Sequence, residues 1–249
     1  MCLMILALRV HREYPLILAA NRDEFDDRPA QPAHFWPEGP WVVAGRDEHG
    51  GGTWLGVSSK GRLALLTNVR NPGVVDASRP SRGDLVADYL LDKESDTRFG
   101  TRLRQTGQTY NGFNLVFGTG FHLSWFSNVG AQIEHIPSGV HGLSNAFWNT
   151  PWPKVVRARA GVWTLLHSGR TPGVEELFAL LADTTRPMDD ELPDTGVGRE
   201  KERILAPICV HSPGYGTQVS TVVYKHHSGR IDFWEKDIRR GKDVRHFGL

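Results

Sequence analysis

A thiol stands one residue into the chain, at Cys2, and a tetrad of mixed character, Asn21-Arg22-Asp23-Glu24, follows the next apolar segment. A thiol becomes a nucleophile when it loses its proton, and a neutral α-amine on the same residue is a ready base for it. The reference values, roughly 7.7–8.0 for an α-amine and about 8.5 for a thiol, put that transfer within reach near neutral pH. Residue 2 is small enough to permit removal of Met1, which would leave amine and thiol together on Cys2. Arg22 is suited to hold thiolate charge or a substrate carboxylate, and Asp23 to orient the amine. Asn21 and Glu24 flank them as substrate contacts. The competing reading keeps Cys2 as a small apolar residue at a strand start, the usual situation of a buried thiol.

What brings Cys2 to the tetrad is a hairpin. Leu3 to Val10 is an apolar run short enough for a strand buried on both faces, His11-Arg12-Glu13-Tyr14-Pro15 breaks it, and Leu16 to Ala20 returns. If Val10 opposes Leu16, Cys2 faces Glu24; a slip of one or two residues leaves it beside Asp23 or Arg22. A second hairpin follows a Pro-rich, charged segment, Phe25 to Pro40, expected as a surface loop, and a short strand, Trp41 to Ala44. Gly50-Gly51-Gly52 leads into Thr53-Trp54-Leu55-Gly56-Val57, Ser59-Lys60-Gly61 turns the chain, and Arg62 to Asn68 returns. With Ser58 opposite Arg62, Gly52 falls against Asn68. Glycine bares its backbone N–H and Asn68 adds an amide donor, an arrangement suited to an oxyanion hole with Trp54 beside it. The alternative is a tight bend and a capped strand.

Further on, Ser81-Arg82-Gly83-Asp84 opens a helix with Ser81 as its N-cap. Phe113 to Phe117 and His122 to Phe126 form a strand pair. Asn145, Trp148, Asn149 and Trp152 precede a helix begun at Pro153, where the indoles are either pocket walls or core. Val174 to Leu181 is a second helix, Asp183 to Glu202 an acidic loop or lid, and strands close the chain. Short turns between strands demand antiparallel pairing, and strongly apolar strands demand cover on both faces. Two mostly antiparallel sheets stacked face to face, with helices outside each, meet both demands: an α+β, four-layer αββα sandwich.

The 249 residues are 39% hydrophobic and 23% charged, with net charge +1, an ordinary composition for a packed soluble globule. Nothing in that balance calls for nucleic acid, and no apolar run has the length for membrane insertion. Two cysteines form no disulfide framework, which with the lack of a signal-peptide pattern points to a reducing, cytoplasmic setting. Residues 1–249 are expected to form a single domain. No phosphate loop, dinucleotide fingerprint or paired metal-ligand motif is present, so no metal is expected and no cofactor is required.

Several segments together resemble one family. Met1-Cys2, Ala20-Asn21-Arg22-Asp23-Glu24-Phe25, Gly51-Gly52-Thr53-Trp54-Leu55-Gly56, Thr67-Asn68, Ser81-Arg82-Gly83, Tyr110-Asn111-Gly112-Phe113-Asn114, Leu143-Ser144-Asn145, Thr150-Pro151-Trp152-Pro153-Lys154 and Leu192-Pro193-Asp194-Thr195-Gly196 resemble, in register, the NRDE family, the homologues of transport and Golgi organisation protein 2. One departure is Gln218, where that pattern carries Arg after Tyr-Gly-Thr. The resemblance implies an N-terminal-nucleophile-hydrolase-like αββα fold, similar to the bile-salt hydrolase and penicillin acylase branch. On that branch's pattern Cys2, Asp23, Asn68 and Asn145 match by position, and Arg22 lies a few residues later than the branch's arginine. The family is linked to haem trafficking and to lipid or acyl-CoA handling. Two functional readings stay open. In the first, Cys2 attacks a linear amide, Asn68 and Asn145 hold the oxyanion, and Arg22 and Asp23 position amine and substrate. In the second, the same cleft carries haem or an acylated lipid-like ligand without chemistry, walled by Trp54, Trp148 and Trp152. The oligomeric state is left open by the sequence.

Overall fold

The structure is a computed structural model that describes residues 2–91, 94–130, 132–241 and 244–249. Met1, on which the processing expectation falls, lies outside the described residues. The opening hairpin is β1 (Cys2–Leu8) and β2 (Leu16–Phe25), with Leu8 opposite Leu16 and Cys2 opposite Arg22. The register therefore differs by two residues from the expected Cys2–Glu24 pairing. Chain reversal starts earlier than the apolar run suggests: Arg9 takes φ +54° and its N–H donates to the Pro15 carbonyl at 2.6 Å. Val10, which pattern alone places in the strand, is 40% exposed.

β1 and β2 sit centrally in a seven-stranded antiparallel sheet. Its order is β10 (Gly139–Leu143), β1, β2, β12 (Tyr215–Lys225), β13 (Ile231–Asp237) and β14 (Arg245–Gly248), with the short β11 (His211–Ser212) paired to β12. The second seven-stranded antiparallel sheet runs in sequence order: β3 (Ala30–Trp36), β4 (Gly39–Asp47), β5 (Leu55–Ser58), β6 (Arg62–Asn68), β7 (Phe113–Thr119), β8 (His122–Ser127) and β9 (Gln132–His135). The segment expected as a loop between Phe25 and Pro40 thus contains β3. Its Pro32 is tolerated because β3 is an edge strand whose ladder to β4 slips between Gln31 and His34.

Alternation along the strands builds the layers. In β1, Met4, Leu6 and Leu8 face the second sheet, where they meet Val43, Leu55, Val57, Leu65 and Val116. Leu3, Ile5 and Ala7 face outward to Val155, Ala158 and Val162 of α3 (Pro153–Leu166) and Leu177, Phe178 and Leu181 of α4 (Val174–Leu181). On the far side of the second sheet, Leu66, Leu115 and Phe117 pack against Leu85, Val86, Tyr89 and Leu90 of α1 (Gly83–Leu90) and Phe99 and Leu103 of α2 (Asp96–Thr106). The result is the four-layer αββα sandwich. α2 falls in a segment expected only to be polar and charged: its apolar stripe is three residues, hidden among seven charged or hydroxylated ones, and Ser95 caps it by accepting from the Arg98 N–H. A further helix, α5 (Arg199–Leu205), ends the acidic segment after α4. No helix among the described residues is long and apolar enough to cross a membrane.

Candidate active site

The two central strands β1 and β2 end side by side, and their ends open onto a cavity of about 550 Å³. Cys2, Arg22, Asp23, Glu24, Trp54 and Asn68 all line it. The loop between β6 and α1 forms the opposite wall, from Val75 through Gly83. Asn111 pins that loop as a strand would: its amide donates to the Asp76 carbonyl at 2.8 Å and its oxygen accepts the Asp76 N–H at 2.9 Å.

Cys2 is half-buried. Being even-numbered, it shares the inter-sheet face with Met4, and a water-sized void of about 10 Å³ under it is bounded by Trp54, Leu65 and Leu66. Its carbonyl accepts from Ser144 Oγ at 3.0 Å, and the Ser144 carbonyl accepts from Thr67 Oγ1 at 2.7 Å, so the thiol-bearing residue is moored to both sheets. Burial pushes the thiol above its ordinary range; the Asp23 charge adds to this and Arg22 opposes it.

Arg22 lies directly across from Cys2 on the same face. Its guanidinium stacks on the Trp54 indole, 4.6 Å from the ring centroid, and reaches Asp47 at 3.4 Å and Glu24 at 3.7 Å. Gly45 leaves the space that the Trp54 ring occupies. Asp47, which no sequence signal singles out, organises this wall: it also takes Arg28 at 2.8 Å and the N–H groups of His49 and Gly50. Burial opposes its ionisation, but Arg28 and the Gly50 amide hold its carboxyl below the usual range.

Asp23 points the other way. Ile17 and Ala19 of β2 pack toward the helices, and Asp23 continues that alternation, while at the strand end the residue also lines the cavity that Cys2 lines. The carboxylate accepts from Thr217 Oγ1 of β12 at 2.7 Å. Burial raises its pKa against the charge of Lys154, the first-turn lysine of α3. Lys154 is itself buried, donates to the Leu205 carbonyl at 3.0 Å, and is drawn down to about 8 by burial, with Asp23 opposing. Behind it, Arg70 pairs with Glu202 of α5 at 2.6 Å and stacks on Trp152 at 4.6 Å. Lys154 occurs in a segment that carries the family resemblance, and Thr217 just before the Gln218 departure from it. Arg70 and Glu202 are ordinary charged residues by sequence, and only the fold brings them together.

Other expected site residues are placed differently. Asn68 lines the cavity, and Asn145 lies behind it, donating to the Asn68 carbonyl at 2.9 Å while its own carbonyl accepts the Arg70 N–H. Asn145 does not line the cavity; it fixes the strand end that presents Asn68. Asn21 bounds only the small void, because its amide is spent on the Leu181 and Ile208 carbonyls and its oxygen on Ser220. The register of the second hairpin is as expected, Leu55 opposite Leu65, but Gly52 stands before β5 and packs on the Gly83 backbone, where any Cβ would collide. Its missing side chain serves that close approach, and the residue lies off the cavity wall. Trp148 packs on Trp125 and His141, and Trp152 under Arg70; neither lines the cavity. Ser81 does not cap α1, whose N-cap is Arg82 with no side-chain bond. At Gln218, the extra residue of a bulge in β12, the amide donates to the Glu24 carbonyl and Asp26, and Arg239 reaches Asp26 at 2.8 Å. Among the described residues no group of His, Cys, Asp and Glu is placed to hold a metal.

Stacked antiparallel sheets between helical layers, with a cysteine opening a central strand, define an N-terminal-nucleophile-hydrolase-like fold. Penicillin V acylase from Agrobacterium tumefaciens superposes with TM-score 0.54 at 12% identity, over all of this chain and 86% of that one. The Caenorhabditis elegans orthologue of N-acylethanolamine-hydrolysing acid amidase gives 0.51 at 12% identity, over 89% and 92%. These likenesses show the fold alone. The family follows from the sequence: the chain belongs to the transport and Golgi organisation 2 family, whose model matches residues 1–240. The bovine transport and Golgi organization protein 2 homolog is 36% identical over 241 residues, 90% of this chain and 87% of the relative.

Proposed function

We propose that the protein is a cysteine amidohydrolase with Cys2 as nucleophile, acting on a linear amide in the cavity between β1, β2 and the Val75–Gly83 wall. One observation carries this reading: Cys2 stands at a strand end in a cavity that Arg22, Asp23 and Asn68 also line, with buried Lys154 acting on the Asp23 carboxylate. The solved structures sharing the fold bear the names of amide-cleaving enzymes. In the proposed step the sulfur bonds to the amide carbon and the C–N bond breaks. The thiol proton passes to the departing amine through the α-amine of Cys2 in the processed chain, held by Asp23. Asn68 donates to the oxyanion, with Asn145 positioning it, and Arg22 holds thiolate charge. Water then cleaves the thioester, releasing the acid and restoring the thiol. A panel of linear amides assayed for amine release tests this: Cys2→Ala abolishes release, and a variant as active as the native chain overturns the assignment.

The second reading, a carrier of haem or of a lipid or acyl-CoA ligand, is supported by the apolar mouth of the cavity, where Phe25 and Val75 are 58% and 71% exposed. Haem titration followed in the Soret region, and mass spectrometry for co-purified lipid, test it; neither signal at micromolar protein overturns it. We further take residues 1–249 as a single domain, since both chain ends contribute to one sheet, and place the protein in the cytoplasm, where the free thiols of Cys2 and Cys209 stay reduced.

A further inference from the structure

The cavity wall carries four arginines and four carboxylates: Arg22, Arg28, Arg79 and Arg82 against Asp23, Glu24, Asp47 and Asp76. Three of the arginines have a carboxylate in reach. Arg22 and Arg28 share Asp47, at 3.4 and 2.8 Å, and Arg79 lies 3.8 Å from Asp76. Arg82 is different. Its Nη1 donates to the Gly112 carbonyl at 3.1 Å, and among the described residues no carboxylate lies within ion-pair distance of it. It is half-buried, it faces the same cavity as Cys2, and the charges that bear on it most are those of Arg28, Glu24 and Cys2.

A partly desolvated guanidinium whose planar fork is engaged, among the described residues, by one carbonyl is a binding element for an anion. Of the four wall carboxylates Asp23 is engaged by Thr217 and Lys154, so Glu24, Asp47 and Asp76 serve Arg22, Arg28 and Arg79, and the charge of Arg82 is left to suit a single anion whose two oxygens match the fork. The remaining wall agrees with such a ligand, because Trp54, Leu66 and Phe25 offer apolar surface around the charge.

We infer that Arg82 anchors a carboxylate of the substrate, so that the site takes anionic linear amides in preference to neutral ones. That the anchored anion belongs to an amide substrate rests on the amidase reading, whereas the binding step rests on the cavity alone. Arg82 is thereby a specificity residue, one wall away from the nucleophile.

The test separates the two. Cys2 is alkylated with iodoacetamide at pH 8.5, and protection is titrated with N-phenylacetylglycine and with its neutral counterpart N-phenylacetylglycinamide. The acid is expected to protect at a concentration at least about tenfold lower than the amide, a ratio typical of one charge-assisted hydrogen-bonded pair. Arg82→Gln is expected to abolish the ratio by weakening the acid alone, and Arg82→Lys, which keeps the charge but loses the fork, to retain part of it. Circular dichroism confirms that each variant is folded. Equal protection by acid and amide, no protection by the acid at millimolar concentration, or a ratio that survives Arg82→Gln overturns the inference. Cleavage of N-phenylacetylglycine to phenylacetate and glycine is read separately; its absence bears on the amidase reading and leaves the binding result standing.

Discussion

Thr217 Oγ1 donates to Asp23 Oδ1 at 2.7 Å, and both residues are buried. This bond joins the start of β12 to the end of the opening hairpin, and the same hydroxyl accepts the Val210 N–H at 2.9 Å. It fixes the carboxylate on the helix side of the sheet while Arg22 and Cys2 keep the inter-sheet side. Thr217→Val preserves shape and removes the hydroxyl, leaving two buried polar groups short of a partner. The expected loss is about 2 kcal/mol or more, each unsatisfied group costing about 1–3 kcal/mol. For a chain of this size that lowers Tm by about 4–8 °C. Differential scanning calorimetry measures it, with Thr217→Ser as the variant that retains the bond; a Thr217→Val protein melting with the native one contradicts the assignment.

The Arg70–Glu202 pair is almost wholly excluded from solvent, and Thr195 adds two bonds to the same carboxylate, from its N–H at 3.0 Å and its hydroxyl at 2.5 Å. Breaking a buried pair from one side strands the other charge. Glu202→Gln is expected to cost about 3–5 kcal/mol, whereas replacing both members by apolar residues costs much less. Urea unfolding of Glu202→Gln and of Arg70→Met/Glu202→Leu compares the two. A double variant no more stable than the single would show that the charge left behind is not the source of the loss.

Glu235 places a carboxylic acid between the sheets. Its Oε1 accepts the Ala33 N–H of β3 at 2.7 Å, and its Oε2 has no hydrogen-bond partner among the described residues. Burial raises its pKa from 4.5 to about 7. Between these values the folded chain holds a proton that the unfolded chain has released, so stability falls as pH rises through the window and levels off above it. The contribution is about 3 kcal/mol across that range. Glu235→Gln keeps the acceptor and removes the titration, so its unfolding free energy is expected to vary less between pH 4.5 and 8 than that of the native chain. Identical pH profiles would disprove the role given to Glu235.

Much of this site is legible before any coordinates, because it rests on strand periodicity. Apolar runs of strand length set the hairpins, alternation sets the faces, and the Leu55–Leu65 register emerges from the Ser59-Lys60-Gly61 turn alone. What escapes is decided by long-range packing. The Cys2–Arg22 register depends on a left-handed Arg9 in the turn, which a side chain of that type does not announce. Trp148 and Trp152 have the composition of a pocket wall, but whether an indole faces a cavity or a core is settled by what stacks on it, here Trp125 and Arg70. Asp47, Arg70 and Glu202 are unremarkable charges until β4, the β6–α1 loop and α5 converge. β3 and α2 stay hidden because proline on an edge strand and a three-residue apolar stripe give weak local signals.

Formation of an acyl-enzyme at Cys2 tests the central claim most directly. The purified chain is mixed with p-nitrophenyl phenylacetate, nitrophenolate release is followed by stopped flow, and the quenched protein is mapped by peptide mass. The expected result is a burst of one equivalent per chain, with the phenylacetyl group on Cys2 and none on Cys209, and no burst from Cys2→Ala. An unmodified Cys2, or a burst that persists in Cys2→Ala, would contradict a nucleophilic role for this thiol.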